Sequence, residues 1–373
     1  MWIVLAIDQY TARRERLAIY SPATQPHETA SPQYHVSIMP TKSREIRLVS
    51  RPRGEAALNN FAFASLELPD PKPGEVLVRN ICMSVDPYMR GRMNEGKSYV
   101  PCFQIGKTLE GGAVGRVIAS QDEKFPVGTS VLSMYGWREA FVAPAAHLQV
   151  VDTSLARPSE YLGVLGVTGL TAWVGLFRIA DLKDGETVFI SGGAGAVGSA
   201  ACQMAKMHGC RVLASAGSAD KVEYLKNDLK VDYAFNYNDG EPLQHLNQGA
   251  PSGLNVYFDN TAGPQLEAAL YALVNRGRVV LCGGIAGYDK PVPGPRNLIQ
   301  AVGKRLRLEG FIVSDHFKEM PAFLAEIAPA LKSGKLTSRE TFVDGLDAAP
   351  AALLDLLKSG AGNIGKMIVR LTN

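Results

Sequence analysis

The sequence predicts an α/β protein in two lobes, one β-rich and one built on a parallel sheet covered by helices. Three observations predict it. At 373 residues the chain exceeds what one ordinary core organises, so two domains are expected. The first part carries short β-branched runs punctuated by Gly and Pro turns, the pattern of a barrel or sandwich. The later part alternates strand-like and helix-like segments, which demands parallel strands joined by helical crossovers.

Composition narrows the class. Apolar residues make up 46% and charged residues 20%, as in a globular enzyme, and the net charge is only +3. No long block of like charges advertises a nucleic-acid or membrane surface, so neither partner is expected. Cys82, Cys102, Cys202, Cys210 and Cys282 form no C-x-x-C pair and are odd in number, which fits reduced thiols and a cytoplasmic location. The opening "MWIVLAI" is too short to span a membrane and lacks a signal peptide's cationic start. Residues 1–38 show no periodicity and are expected to be a disordered extension, with Met39 a candidate start.

Element by element, "EIRLVS" alternates as a strand, and "PDPKPGEVLVRNICMSVD" is a turn followed by a strand. "GGAVGRVIAS" and "GTSVLSMYG" each pair a Gly turn with a β-branched run. "YLGVLGVTGLTAWVGLFRIADLKDGE" changes to helical spacing and stops at Asp184-Gly185. Then "TVFISG" leads into helix "AVGSAACQMAKMHG", "RVLASAG" into "SADKVEYLKND", and strand "YAFNY" follows. "LNVYFDNTAG" precedes helix "PQLEAALYALV"; "GRVVLCGG" is a strand; "LRLEGFIVSD" precedes helix "FKEMPAFLAEIAPALKSG". The final stretch from "FVDGLDAAP" adds a helix and one more strand, packing back on the first lobe. The expected domains are therefore 39–162 with 341–373, and 163–340 inserted between them.

The chemistry begins at "ISGGAGAVGS". Gly193, Gly195 and Gly198 spell G-x-G-x-x-G between a strand and a helix, the context in which backbone approaches a pyrophosphate and a helix N-terminus faces its charge. About 20 residues on, an NAD site carries an Asp or Glu for the ribose. Here Ala216 stands instead, followed by Gly217, Ser218 and Lys221. Removing the acid removes repulsion of a 2′-phosphate. Ser218 suits a helix cap, and Lys221 in the first turn can reach the phosphate as a point charge. The expected cofactor is NADPH/NADP⁺ over NADH.

A catalytic zinc needs about three Cys, His or carboxylate ligands. The six histidines and five cysteines are scattered, so no metal is expected. Without a Lewis acid, reducing a simple ketone is hard. In an α,β-unsaturated carbonyl, hydride can add to the β-carbon while a tyrosine hydroxyl or the cofactor's ribose hydroxyl stabilises the oxygen, and Tyr or water supplies the α-carbon proton. A zinc-type alcohol dehydrogenase acting on C=O and a non-catalytic NADPH-binding sensor are the alternatives.

"SVDPYMRGRMNEGKSYVPCFQIGKTLEGGAVGRVIAS", "LGVTGLTAWVGL", "GGAGAVGS", "AGSADKVEYL", "YFDNTAG", "CGGIAGY", "GFIVSDHF" and "GNIGKMIVR" together resemble the zinc-independent medium-chain dehydrogenases/reductases, in the branch of NADPH-dependent curcumin, prostaglandin and 2-alkenal reductases. The resemblance runs from about Met39 to the C-terminus. It implies a GroES-like β domain, a Rossmann cofactor domain, a homodimer and reduction of enones and enals with NADPH. Carried over by motif, Gly195, Ala196, Val197 and Gly198 would meet the pyrophosphate, Lys221 the 2′-phosphate, and Tyr237 would lie close to it. Asn260, the loop with Cys282, Gly283, Gly284, Ile285 and Tyr288, and Phe311, Ile312 and Val313 would line the nicotinamide side, and Asn363 would reach the cofactor from the C-terminal segment. For catalysis it points to Tyr88, Tyr99 and Tyr288; Asp86, Arg90 and Arg92 either serve the site or form one structural ion-pair knot. One position departs: where prostaglandin reductases carry a tyrosine a few residues before the "GFIV"-like strand, this chain has Gly303.

Overall fold

A computed structural model of the chain describes residues 41–358 and 362–371. The expected N-terminal extension and the start at Met39 lie outside the described residues. The β-rich part opens with a hairpin of β1 (Thr41–Leu48) and β2 (Phe61–Leu68), paired antiparallel in unbroken register. Next come β3 (Glu75–Ser84), β4 (Ala113–Ser120), β5 (Ser130–Ser133), β6 (Ala140–Pro144) and β7 (Gln149–Val150). The short helix α1 (Tyr88–Arg92) leaves the end of β3.

The second sheet is wholly parallel. It comprises β8 (Thr187–Ile190), β9 (Arg211–Ala216), β10 (Tyr233–Asn236), β11 (Leu254–Asp259), β12 (Leu273–Leu281) and β13 (Arg307–Gly310), in spatial order β10-β9-β8-β11-β12-β13. The order reverses between β8 and β11, and open α/β sheets bind ligands at that crevice. One face is covered by α2 (Val167–Val174), α3 (Ala196–Met207), α4 (Ala219–Asn227) and α8 (Met320–Lys332), which bury Trp173, Cys202, Leu225 and Phe323. On the other face pack α5 (Pro242–Gly249), α6 (Gly263–Ala272) and α7 (Gln300–Lys304), over Phe189, Tyr257 and Leu270.

Three readings need correction. The long helical stretch after "YLGVL" is broken into a 3-10 turn (Pro158–Leu162), α2 and a π-turn (Gly175–Ile179). Glycine explains the breaks: Gly163 and Gly166 leave helical geometry, and a side chain on Gly175 would enter the Phe258 ring. Polar "PLQHLNQG" forms α5, a helix its apolar spacing did not announce. The final stretch supplies two strands, β14 (Glu340–Asp344) and β15 (Lys366–Arg370), flanking α9 (Ala349–Leu356). They pair parallel to each other, and β15 pairs antiparallel with β3, completing a seven-stranded sheet. Just before β15, the Gly365 N–H donates to the Ala194 carbonyl at 2.8 Å, laying the C-terminal segment beside the glycine turn.

Candidate active site

The glycine turn joins β8 to α3. Gly192 has φ +59°, a left-handed conformation that favours glycine. A side chain on Gly198 would overlap the Gly192 carbonyl, so α3 begins as close to the turn as backbone allows. Gly195 occupies the N-cap. The N–H groups of Ala196, Val197 and Gly198 therefore open the helix without intrahelical acceptors, and the helix dipole adds partial positive charge. All four expected pyrophosphate contacts sit in this half-turn.

β9 ends at Ala216, which is buried. Ser218 stands at the N-cap of α4 in extended conformation, as expected, but its hydroxyl makes no cap hydrogen bond. Lys221 lies in the first turn of α4, half-buried, and burial pushes its amine below the usual lysine range. No salt bridge holds it among the described residues. Tyr237 follows β10 directly, and its hydroxyl lies against Gly217, where a side chain would collide with it.

Across the crevice, β11 ends at Asp259, whose carboxyl is fully buried. Its Oδ1 accepts from Thr261 N at 2.9 Å, Ala262 N at 2.7 Å and the Tyr257 hydroxyl at 2.8 Å. Burial nonetheless pushes this carboxyl above the ordinary range. The bonds hold Ala262 at φ +62°, ψ −156°, a strained conformation for a residue with a side chain. Asn260 Nδ2 donates to the Ser191 carbonyl at 2.8 Å, which ties this turn to the end of β8. The loop after β12 is laid along it: Cys282 N and Gly283 N both donate to the Asp259 carbonyl at 3.0 Å, and Ile285 N to the Asn260 carbonyl at 3.3 Å. The Cys282 thiol is pushed up to about 12 by burial, so it is no nucleophile at neutral pH. Phe311 and Val313 pack partly buried against the core under α2, and Ile312 is extended between them. Asn363 turns its amide onto the Gly365 carbonyl at 3.3 Å, beside the glycine turn.

Three phenols carry the catalytic expectation. Tyr88 opens α1 and is half-buried; burial, then Asp86, push its phenol above the usual range, while Arg92 pulls the other way. Tyr99 stands on the following loop, 60% exposed. Its phenol is raised by desolvation first and then by Tyr288, with Arg92 opposing. Burial also raises the Tyr288 phenol, whose hydroxyl lies beside Gly283. Tyr88 and Tyr99 come from the β-rich lobe and Tyr288 from the parallel-sheet lobe.

The charges around "VDPYMRGR" do not form one knot. Asp86 Oδ1 pairs with Lys366 Nζ at 3.0 Å, and its other oxygen takes the Ser84 hydroxyl. Arg90 Nε binds Asp289 at 2.6 Å. Arg92 binds Glu110 at 2.7 Å and lies over the Phe103 ring. Lys366, Asp289 and Asp259 were not read as site residues. Asp289 does adjoin Tyr288 and Lys366 ends "GNIGK", but their partners lie far away in the chain. Among the described residues no three His, Cys, Asp or Glu side chains gather as a metal site.

Comparison with known proteins places this geometry. Residues 44–151 match the family described as the N-terminal domain of oxidoreductase, and residues 196–328 the family described as zinc-binding dehydrogenase. The chain is 40% identical over 303 residues to an NADP⁺-dependent 2-alkenal reductase of Nicotiana tabacum, covering 80% of this chain and 88% of the relative. It is 34% identical to the NADPH-dependent curcumin reductase of Escherichia coli over 88% of this chain and 97% of the relative. The crystal structure of CurA from Vibrio vulnificus in complex with NADPH superposes with a TM-score of 0.83 at 35% identity, covering 88% of this chain and 99% of CurA.

Proposed function

Because the chain belongs to the medium-chain dehydrogenase/reductase family, in its zinc-independent branch, we propose that it is an NADPH-dependent reductase of the C=C double bond of α,β-unsaturated ketones and aldehydes. The observation that carries the reading is the glycine turn between β8 and α3, with Gly195 at the N-cap and the Gly365 N–H bonded to Ala194 beside it, next to a strand end that carries no acid at Ala216. The residues fit a phosphorylated dinucleotide. Gly195 to Gly198 offer a backbone cradle, Ala216 brings no competing acid, and Lys221 brings a desolvated cation, with Tyr237 and the Ser218 N-cap beside it. Asn260, the Cys282–Tyr288 loop, Phe311–Val313 and Asn363 would close round the nicotinamide end. When bound, NADPH supplies the hydride that adds to the β-carbon.

The chain's own part is to hold the carbonyl oxygen, on which negative charge develops. Phenols raised above their ordinary value stay protonated at neutral pH and can donate to that oxygen. The Tyr288 hydroxyl lies beside Gly283 in the loop after β12, on the side expected to face the nicotinamide. Tyr88 is set more deeply, against the core of the β-rich lobe. Among the described residues no cluster of donors fits a zinc ion; in this reading the phenols and the preorganised backbone carry the stabilisation.

We further infer domains of 39–162 with 341–373 and of 163–340, since β14 and β15 join the sheet of β3. We also infer a homodimer. β13 is an edge strand, and Leu298, Ile299 and Val302 nearby are exposed, a combination that suits a second copy. Cytoplasmic residence is supported by five free cysteines. Among the described residues no helix is long and apolar enough to cross a membrane.

The test is loss of nicotinamide absorbance on mixing the protein, NADPH and 3-nonen-2-one, with the saturated ketone as control. Alkene-dependent oxidation is expected. Turnover of the saturated ketone alone would mean an alcohol dehydrogenase, and binding without turnover a sensor.

A further inference from the structure

We propose that Arg90 and Asp289 form a positioning clasp that sets Tyr288 for turnover, an inference that rests on the enone-reductase reading. The pair crosses the two lobes. Arg90 lies on α1, two residues after Tyr88, and Asp289 immediately follows Tyr288. Their contact is a 2.6 Å charge-assisted bond from Nε to Oδ1, with the guanidinium only 5% exposed.

Arg90 is rigidly held on its own side. Its Nη1 donates to Asn94 Oδ1 at 2.8 Å and its Nη2 to the Gly54 carbonyl at 2.7 Å. The same Asp289 oxygen accepts the Ala56 N–H at 3.1 Å, and Lys290 pairs with Glu55 at 2.5 Å. Residues 54–56 are thus stitched to both partners.

The loop bearing Tyr288 needs such an anchor. Its first half hangs from the Asp259–Thr261 backbone through Cys282, Gly283, Ile285 and Ala286. Beyond Tyr288 the chain runs without regular structure until α7. Asp289 supplies the attachment at the far side of Tyr288, and it does so to the lobe that carries Tyr88 and Tyr99. A phenol displaced by about 1 Å loses alignment with the developing charge, and such misplacement costs up to about 100-fold. The cofactor's phosphates are assigned to α3 and α4, which the clasp does not touch, so its effect should fall mainly on kcat.

The experiment uses the full-length protein. Asp289→Ala is expected to lower kcat for 3-nonen-2-one about 10-fold, with the NADPH Kd from nicotinamide fluorescence changed less than about twofold. In a Tyr288→Phe background the same substitution should add less than about twofold, because two residues acting as one unit are not additive. Asp289→Glu, which restores the charge, should recover part of the rate. An unchanged kcat for Asp289→Ala, or the same loss in both backgrounds, overturns the clasp. If Asp289→Ala does not fold, Arg90→Lys decides: it keeps the charge without the directed fork, and wild-type kcat in that variant overturns the proposal. Wild-type protein that leaves NADPH untouched with enone sinks the underlying reading instead, a result separable from either.

Discussion

Lys221 shows how much a single residue can reveal when its chemistry is local. Its place five residues after Ala216 was visible in the chain, and the structure adds that it is half-buried in the first turn of α4. Burial desolvates its amine and pushes it below the usual lysine range, so a 2′-phosphate would meet a cation poorly screened by water. Lys221→Ala should raise the KM for NADPH about 10- to 100-fold, the weight of one charged hydrogen bond, and leave NADH use nearly untouched. Equal loss with both cofactors would contradict the role. The phenols give a pH prediction of definite sign. Tyr288 is raised above its ordinary 10.0 and keeps its proton to higher pH than a free phenol. Enone kcat should therefore run level through pH 9 and bend down only above 10.0. A basic limb near neutrality in a pH–rate profile would rule out Tyr288 as donor. Its partners were less legible. The Arg90–Asp289 bond spans 199 positions in sequence, and no local pattern announces a contact made only when two lobes meet.

At the scale of elements, legibility followed the strength of the local period. β8, α3, β9 and α4 read clearly because a buried parallel strand and an Ala-rich helix differ sharply in composition. The stretch after "YLGVL" misled because its glycines serve packing. Gly169 and Gly175 let α2 and the π-turn approach neighbouring backbone and the Phe258 ring, and apolar spacing alone cannot report that. Helix α5 escaped because its exposed face outweighs the buried Leu246. The glycine turn makes the sharpest element-level prediction. Gly198→Ala puts a methyl group against the Gly192 carbonyl, where backbone must shift. The substitution should cost about 1–3 kcal/mol of stability, as overpacking does, and weaken NADPH binding together with it. Thermal melting and titration calorimetry on one preparation would check both, and unaltered affinity would mean the turn does not cradle the pyrophosphate.

For the molecule as a whole, the two lobes are joined by a chain that leaves and returns, and the return carries a buried charge. Lys366 is 5% exposed, with Asp86 at 17%. Its ammonium donates to Asp86 at 3.0 Å and to the carbonyls of Val85 and Met367 at 3.1 Å, while the preceding Gly365 is hydrogen-bonded to the glycine turn. One strand end thus fixes both the "VDPY" segment and the start of α3. Breaking a buried pair leaves its partner's charge desolvated and unmatched, which costs about 3 kcal/mol. Lys366→Met should lower the urea midpoint accordingly, and the residual damage should come from the stranded Asp86 carboxylate. Adding Asp86→Asn removes that charge while keeping an acceptor for the Ser84 hydroxyl. The double variant should therefore be more stable than Lys366→Met alone, even though it carries one more substitution. If the second change only adds to the loss, the lysine acts through its carbonyl bonds and packing, and the ion pair is not what ties β15 to the "VDPY" segment.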